Sequence, residues 1–351
     1  MNSFEEITPH ISCLSIPYKG IYTTVCLIKT EAGVLLFDAA SYDSDITDIV
    51  LPALAEAGIG EDELKYIFIS HKHADHAGGL GELLKHFPRV CVLSRSDALR
   101  EQHAGYEFSC PEEWDTVLGE LKVVCIPGHT PDSAALLDTR TKTLVCGDCL
   151  QMYGIFGEGK WGANIRLPKE HIAALDKLRG MDIDKVICAP ASHPCGRILE
   201  GKENILAAID ACAAPLYEIK ALIEENPDAD DVAVCAAYNS RGNLPTLGDH
   251  VVTAVRRDMC GKEVHIGLSV CGIKCESCNF YIDKKCEGCR SVAPEGKCVW
   301  NGRCDLYDCC AARSHEHCGK CSDFPCSTLK EWAAGENGER IQNLVELNKL
   351  N

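Results

Sequence analysis

Apolar and polar positions alternate along the chain with two periods. Ile11–Ile16 and Tyr22–Ile28 read as paired strands joined through Pro17-Tyr18-Lys19-Gly20. Gly33–Asp38 is a short apolar run ending in a carboxylate, which suits a buried strand. A helix is expected over about 44–57. Leu64–Ser70 is another apolar strand, and it runs directly into His71-Lys72-His73-Ala74-Asp75-His76. Gly78-Gly79 then opens a helix to about His86. Further strands are predicted at Arg89–Leu93, Leu121–Ile126, Ala134–Leu137, Thr143–Cys146 and Lys185–Ala189. A helix is predicted over about Lys169 to Leu178, with Pro168 at its start and Gly180 at its end. From Lys202 the pattern turns helical, with Ile205, Ile209, Cys212 and Leu216 on one face, until Asn226-Pro227-Asp228 breaks it. One more helix is expected from about Thr246 to Met259. A last amphipathic helix follows Trp332, with Ile341, Leu344 and Leu347 on its face.

A chain of 351 residues suggests two domains, or one large domain with an appendage. The net charge of −17 speaks against nucleic-acid binding, which needs clustered Lys and Arg, and against docking on an anionic membrane. No apolar run approaches the roughly 18 residues that span a bilayer. Met1–Glu6 has neither a basic nor an apolar leader region, so a cytoplasmic location is expected.

The chemistry concentrates where strands end. In an extended segment alternate residues point the same way, so His71 and His73 can converge on one ion while Asp75 and His76 turn toward a second. Further ligands are expected at comparable junctions. His129 follows Leu121–Ile126, Asp148 follows Thr143–Cys146, and His193 follows Lys185–Ala189. Asp38, ending a core strand, either orders a ligand imidazole or caps a turn. His10, His86, His103, His171 and His250 read as ordinary core or surface histidines. The stretch 151–164, with Tyr153, Phe156 and Trp161 among glycines, is a candidate substrate wall or a packing segment, as are Tyr18 and Tyr22.

The His-x-His-x-Asp-His block, the Gly-His-Thr-Pro turn at His129, the Gly-Asp at Asp148 and the late histidine together resemble the metallo-β-lactamase superfamily over about residues 5 to 200. The resemblance implies an α/β fold, an αβ/βα sandwich with its site at one edge of the sheets. It implies that His71, His73 and His129 hold a first metal, that Asp75, His76 and His193 hold a second, and that Asp148 bridges them. Asp75 would also orient the nucleophile, a hydroxide bridging two zinc ions, with iron as the alternative. Glyoxalase II-like thioesterases use this ligand set, so a small-molecule thioester, ester or lactone is the expected substrate. Two details depart from the commonest pattern: the last histidine sits in Ser-His-Pro, and Asp148 is flanked by Cys146 and Cys149.

Twelve of the 24 cysteines crowd into residues 271–326: Cys271, Cys275, Cys278, Cys286, Cys289, Cys298, Cys304, Cys309, Cys310, Cys318, Cys321 and Cys326. This segment resembles a small cysteine-rich bacterial and archaeal family of unknown function. Cys275/Cys278, Cys286/Cys289 and Cys318/Cys321 have the Cys-x-x-Cys spacing that lets two thiolates of one turn share an ion. A segment poor in large apolar residues needs such a ligand to fold. Zinc is the first expectation and an iron–sulfur cluster the alternative.

The sequence thus predicts a hydrolase domain over 1–200, a helical extension over 201–265, a metal-stabilised cysteine-rich module over 266–335 and a terminal helix over 336–351. The module is a candidate platform for a protein partner. The competing readings are a non-catalytic metal-sensing or docking protein, and an iron–sulfur protein linked to redox chemistry.

Overall fold

Neighbouring residues of each early strand enter different cores. In β2 (Ile11–Tyr18), Ile11 and Cys13 join one apolar cluster while Leu14 and Ile16 join another. In β3 (Ile21–Thr30), Cys26 and Ile28 face the first and Val25 and Leu27 the second. In β4 (Gly33–Phe37), Leu35 and Phe37 part in the same way from Leu36. A strand apolar on both faces must be covered on both sides, which is the requirement of a layered sandwich.

The computed structural model describes residues 3–18, 21–150, 164–192, 196–242, 246–260, 269–275, 304–313, 315, 317–333 and 338–349. His193, Cys278, Cys286, Cys289, Cys298, Tyr153, Phe156 and Trp161 lie outside the described residues. The chain divides into two compact units, Met1–Lys262 and Glu263–Asn351.

The first unit contains two sheets. One runs in the order β1 (Glu5–Glu6), β2, β3, β4, β5 (Leu64–Ile69), β6 (Cys91–Ser94), β7 (Glu107–Ser109), antiparallel up to β4 and parallel beyond it. The other contains β8 (Thr116–Val117), β9 (Leu121–Cys125), β10 (Ala134–Asp138), β11 (Thr143–Cys146), β12 (Lys185–Ser192) and β13 (Gly196–Glu200) in sequential order. Its β11–β12 pair is parallel and its other pairs are antiparallel. Side chains of both sheets meet in one inner cluster, where Phe37 and Phe68 stack at 5.3 Å and Val123, Leu136, Val145 and Ile187 join from the second sheet. Thr24 Oγ1 also donates to Ala189 O at 2.6 Å, tying β3 to β12.

Helices cover the outer faces. Residues 43–56 form α1 (Asp43–Asp45), a π-turn (Ile46–Val50) and α2 (Leu51–Glu56), so the expected single helix carries a widened turn. With α3 (Ala74–Ala77), α4 (Leu80–His86) and α5 (Asp97–Gln102), they bury Ile46, Leu54, Leu80, Leu83 and Leu99 against the first sheet. The second sheet is covered by α6 (Pro168–Gly180), α7 (Lys202–Glu225), α8 (Asp231–Ser240) and α9 (Asp249–Asp258). Ile205, Ile209, Cys212 and Leu216 of α7 share a single cluster with Leu144, Val186 and Leu199 of the sheet. The helices of 202–258 are therefore part of the first unit's core. The fold is an αβ/βα sandwich.

In the second unit, helices at Asp305–Ala312, Ser327–Ala333 and Gly338–Lys349 surround a cluster of Val270, Cys271, Leu306, Cys310, Cys318, Leu329 and Leu344. Cysteines thus occupy places that leucines fill elsewhere.

Leu216→Ala should lower the unfolding free energy of the first unit by about 2–5 kcal/mol, because a fully buried side chain leaves a cavity. Val232→Ala, at a position 64% exposed, should change it by under about 0.5 kcal/mol. Urea unfolding of both variants checks the pair. A chain ending at Lys262 should unfold cooperatively, whereas one ending at Glu200 exposes the apolar face of the second sheet and should fail to fold.

Candidate metal centre

Asp38 follows β4 with a left-handed backbone, φ 63°, which an aspartate tolerates better than most residues. This turn aims its side chain beneath the His71–His76 block. Asp38 Oδ1 accepts from Ser70 N at 2.7 Å, and Oδ2 accepts from Ser70 Oγ at 2.9 Å. Oδ2 also lies 2.7 Å from His76 Nδ1. The imidazole donates there, leaving Nε2 directed away from the carboxylate. Ser70 Oγ lies 3.1 Å from His71 Nδ1 and fixes that ring as well. His129 Nδ1 is 2.6 Å from Asn164 O and donates to it, which turns the Nε2 lone pair inward. Asp132 Oδ2 accepts from Lys72 N at 2.9 Å and holds the block's backbone.

Three ring nitrogens converge as a result. His73 Nδ1 lies 3.1 Å from His71 Nε2 and 2.8 Å from His129 Nε2. Nitrogens bound to one tetrahedral zinc stand about 3.3 Å apart, given Zn–N near 2.0–2.1 Å. His71, His76 and Asp148 form a second donor group, its atoms all within 4.8 Å of one another. Asp148 faces both groups. Its Oδ1 is 3.1 Å from His76 Nε2, and its Oδ2 is 3.5 Å from His129 Nε2 and 4.0 Å from His71 Nε2. Asp75 Oδ2 is 3.6 Å from His76 Nε2, and Thr23 Oγ1 donates to its backbone carbonyl at 2.5 Å.

The protonation states suit cation binding. Burial, then the neighbouring histidines, hold His71 well below its ordinary value. Burial and His129 lower His73 to about 3. His129 is lowered mainly by burial. All three rings are therefore neutral near pH 7 and present lone pairs, as ligation requires. Burial raises the Asp148 carboxyl, but His76, His129 and His73 overcome this and hold it ionised below the usual carboxylate range. Burial pushes His76 down, yet Asp148, Asp38 and Asp75 lift it well above its ordinary value. A cation at Nε2 would displace that proton. Neutral imidazoles, an ionised carboxylate and this spacing fit divalent metal ions.

The strands approach so closely here that a side chain is excluded at one position. A Cβ on Gly147 would meet Ser70 Oγ at 2.5 Å and His71 Nδ1 at 3.2 Å. His71, His73, Asp75, His76, His129 and Asp148 are thus gathered at one edge of the sandwich. Gly147, of the Gly-Asp pair, completes the support with Ser70, Asp132 and Asn164, and these last three carried no sequence pattern of their own.

The sequence profile described as "Metallo-beta-lactamase superfamily" matches residues 19–106. The uncharacterized protein YobT of Bacillus subtilis (strain 168) is 31% identical over 172 residues, spanning 41% of this chain and 70% of that protein. The chain belongs to the metallo-β-lactamase superfamily. A hydroxyacylglutathione hydrolase of Synechococcus sp. (strain JA-3-3Ab) is 33% identical over 43% of this chain, which spans only 58% of that enzyme's length. A metallo-beta-lactamase family protein of Thermus thermophilus shares the fold, with a TM-score of 0.51, 19% identity and coverage of 73% of this chain and 95% of that one. For this superfamily member, a separate profile, "Protein of unknown function (DUF3795)", matches residues 267–331. Among the described residues, no helix is long and apolar enough to cross a membrane.

Asp38→Asn keeps the shape but loses the charge that fixes His76, and should weaken metal binding about 10–100-fold in a competition titration with a chromophoric chelator. Acid should also destabilise the metal-free chain. His71, His73, His129 and His171 all have depressed values, with burial as the largest cause, so their stabilisation is present above about pH 6.5. It is lost as pH falls toward about 3, the value for His73 and His171. Raised His76 is protonated in both states below about pH 6.5 and leaves that slope unchanged. Urea midpoints measured from about pH 7 to about pH 4 should fall steadily, and less steeply in His171→Gln.

Proposed function

We propose that the first unit is a dinuclear metal-dependent hydrolase acting on a small thioester, ester or lactone. One observation carries the reading: Asp148 stands within reach of both donor groups, where its carboxylate could serve two ions. His71, His73 and His129 would hold one ion. Asp75, His76 and Asp148 would hold the other, together with His193, which lies outside the described residues. Zinc is the first choice, and iron is compatible with the same imidazole and carboxylate donors. Such a pair supplies a Lewis acid for a carbonyl oxygen and a water acidic enough to ionise near neutral pH.

The chain's own groups do the remaining work. Asp75 Oδ2, on a side chain 21% exposed, is the group we assign to accept the proton of the attacking water. Asp38 and Asn164 hold His76 and His129 in their inward-facing tautomers throughout. Water adds to the acyl carbon, the carbon–sulfur or carbon–oxygen bond breaks, and the products are a carboxylate and a thiol or alcohol. The likeness to hydroxyacylglutathione hydrolases supports a thioester first.

We further propose that the second unit binds metal through its cysteines, as zinc sites or, alternatively, an iron–sulfur cluster. A cytoplasmic setting, which keeps thiols reduced, accords with 24 cysteines.

Turnover of a thioester panel should be abolished by chelation and restored by zinc. Asp148→Asn should lose at least about 100-fold in kcat and one metal equivalent by elemental analysis. Full metal content with no turnover of any thioester, ester or lactone would instead favour a binding protein.

A further inference from the structure

Among the described residues, Cys318 meets a cysteine outside its Cys-x-x-Cys pair. Cys318 Sγ lies 3.5 Å from Cys310 Sγ, on a helix eight residues away. Cys321, its Cys-x-x-Cys neighbour, instead accepts from Arg313 Nη1 at 3.2 Å, and Arg313 also pairs with Asp323 at 2.9 Å. Cys309 is exposed, whereas Cys271, Cys310 and Cys318 are buried and Cys326 is half-buried.

Three further contacts hold the buried group together. Cys318 N donates to Val270 O at 2.8 Å, which seats the turn Cys318–Lys320 beside Cys271. The turn at Cys271 is itself pinned by the helix Gly338–Lys349, where Asn343 Nδ2 donates to Gly272 O at 3.0 Å. A Cβ on Gly272 would meet Arg340 O at 2.2 Å, so that approach tolerates no side chain. Cys326 begins the helix Ser327–Ala333, its carbonyl accepting from Lys330 N at 3.0 Å. Cys271, Cys310 and Cys318 are buried in one cluster, and Cys326 packs against it.

Four thiols from four separate segments add little cohesion to the cluster, since sulfur–sulfur contacts offer neither strong hydrogen bonds nor large apolar area. One edge of the group matches a tetrathiolate site. Sulfurs on one tetrahedral zinc stand about 3.8 Å apart for Zn–S near 2.3 Å, and the Cys310–Cys318 separation is close to that edge. We propose that Cys271, Cys310, Cys318 and Cys326 hold one soft divalent metal ion that ties together the elements of the second unit. Each ligating thiol gives up its proton to solvent, and the ion accepts the four sulfur electron pairs. Among the described residues only the histidine–aspartate groups already have three ligand atoms within 4.8 Å. Binding therefore rotates Cys271 and Cys326 inward onto the Cys310–Cys318 edge. The assignment rests on the metal-binding reading of this unit and names its ligands.

The test uses the full reduced chain, stripped and reloaded with cobalt(II) as the optical probe and zinc for counting. Sulfur-to-cobalt charge-transfer absorption is expected, and the histidine–aspartate centre contributes none of it. Cys310→Ser and Cys326→Ser should each abolish that absorption and remove one zinc equivalent, while Cys309→Ser and Cys321→Ser keep both. Alkylation mapping of the unsubstituted chain needs no variant: zinc should shield Cys326, and chelation should expose it. If Cys309→Ser or Cys321→Ser removes the absorption while Cys310→Ser leaves it, or if zinc fails to shield Cys326, the quartet is wrong though the unit still binds metal. If the unsubstituted chain shows no thiolate absorption, the metal-binding reading itself falls. A brown iron–sulfur chromophore lost in the same variants would overturn the single ion.

Discussion

Asp38 is fully buried, and a carboxylate taken out of water is costly unless its oxygens are paired. Burial raises its carboxyl, and His76 and Ser70 pull against that rise. Its partners come from the end of β5 and from the helix that carries His76, so one side chain sets how two segments meet. Through Ser70 the same carboxylate also governs His71, and His71 belongs to both donor groups. A shift of Asp38 would therefore displace both donor groups together. Strand ends are where such a device works, because the sheet fixes the backbone while the loops remain free to carry ligands.

The sandwich makes that precision affordable. Residues of β2, β3 and β4 alternate between the inner cluster and the helical layer, so the strands cannot slip by one position without reversing both faces. The second sheet is held in the same way, and α7 is as much a wall of it as α6.

Most of the first unit was legible in the sequence because its strands are apolar runs that end in chemistry. Leu64–Ile69 before His71, Leu121–Cys125 before His129 and Thr143–Cys146 before Asp148 are such runs. Missed were β7, β8 and β13, short strands with few apolar residues that tertiary pairing rather than pattern brings into the sheets. Helix α8 was missed as well, although Asp230 caps it by accepting from Ala233 N at 2.7 Å. Its three buried residues, Val234, Cys235 and Tyr238, give too short a stripe to read. In the site, the candidate ligands and Asp38 were visible by residue type, but the other supports were not. Ser70 and Asn164 act through a hydroxyl and a backbone carbonyl, which no motif records. In the second unit the spacing suggested chelating pairs, and the contacts of Cys318 with Cys310 and of Cys321 with Arg313 are additions that spacing does not record.

The first unit also contains many thiols away from any ligand role. Cys13 and Cys26 touch across β2 and β3 at 2.9 Å, and Cys146 stands beside Cys188 on paired strands. Burial, together with sulfur neighbours in the paired cases, raises Cys26, Cys146 and Cys235, and lifts Cys91 to about 11 and Cys149 to about 12. A thiol that stays protonated is a poor nucleophile, and peroxides and disulfides react with the thiolate. Cys26, Cys91, Cys146, Cys149 and Cys235 are therefore chemically quiet at neutral pH and serve as small packing groups. A sandwich can thus be rich in cysteine while burial keeps those thiols slow to react with oxidants.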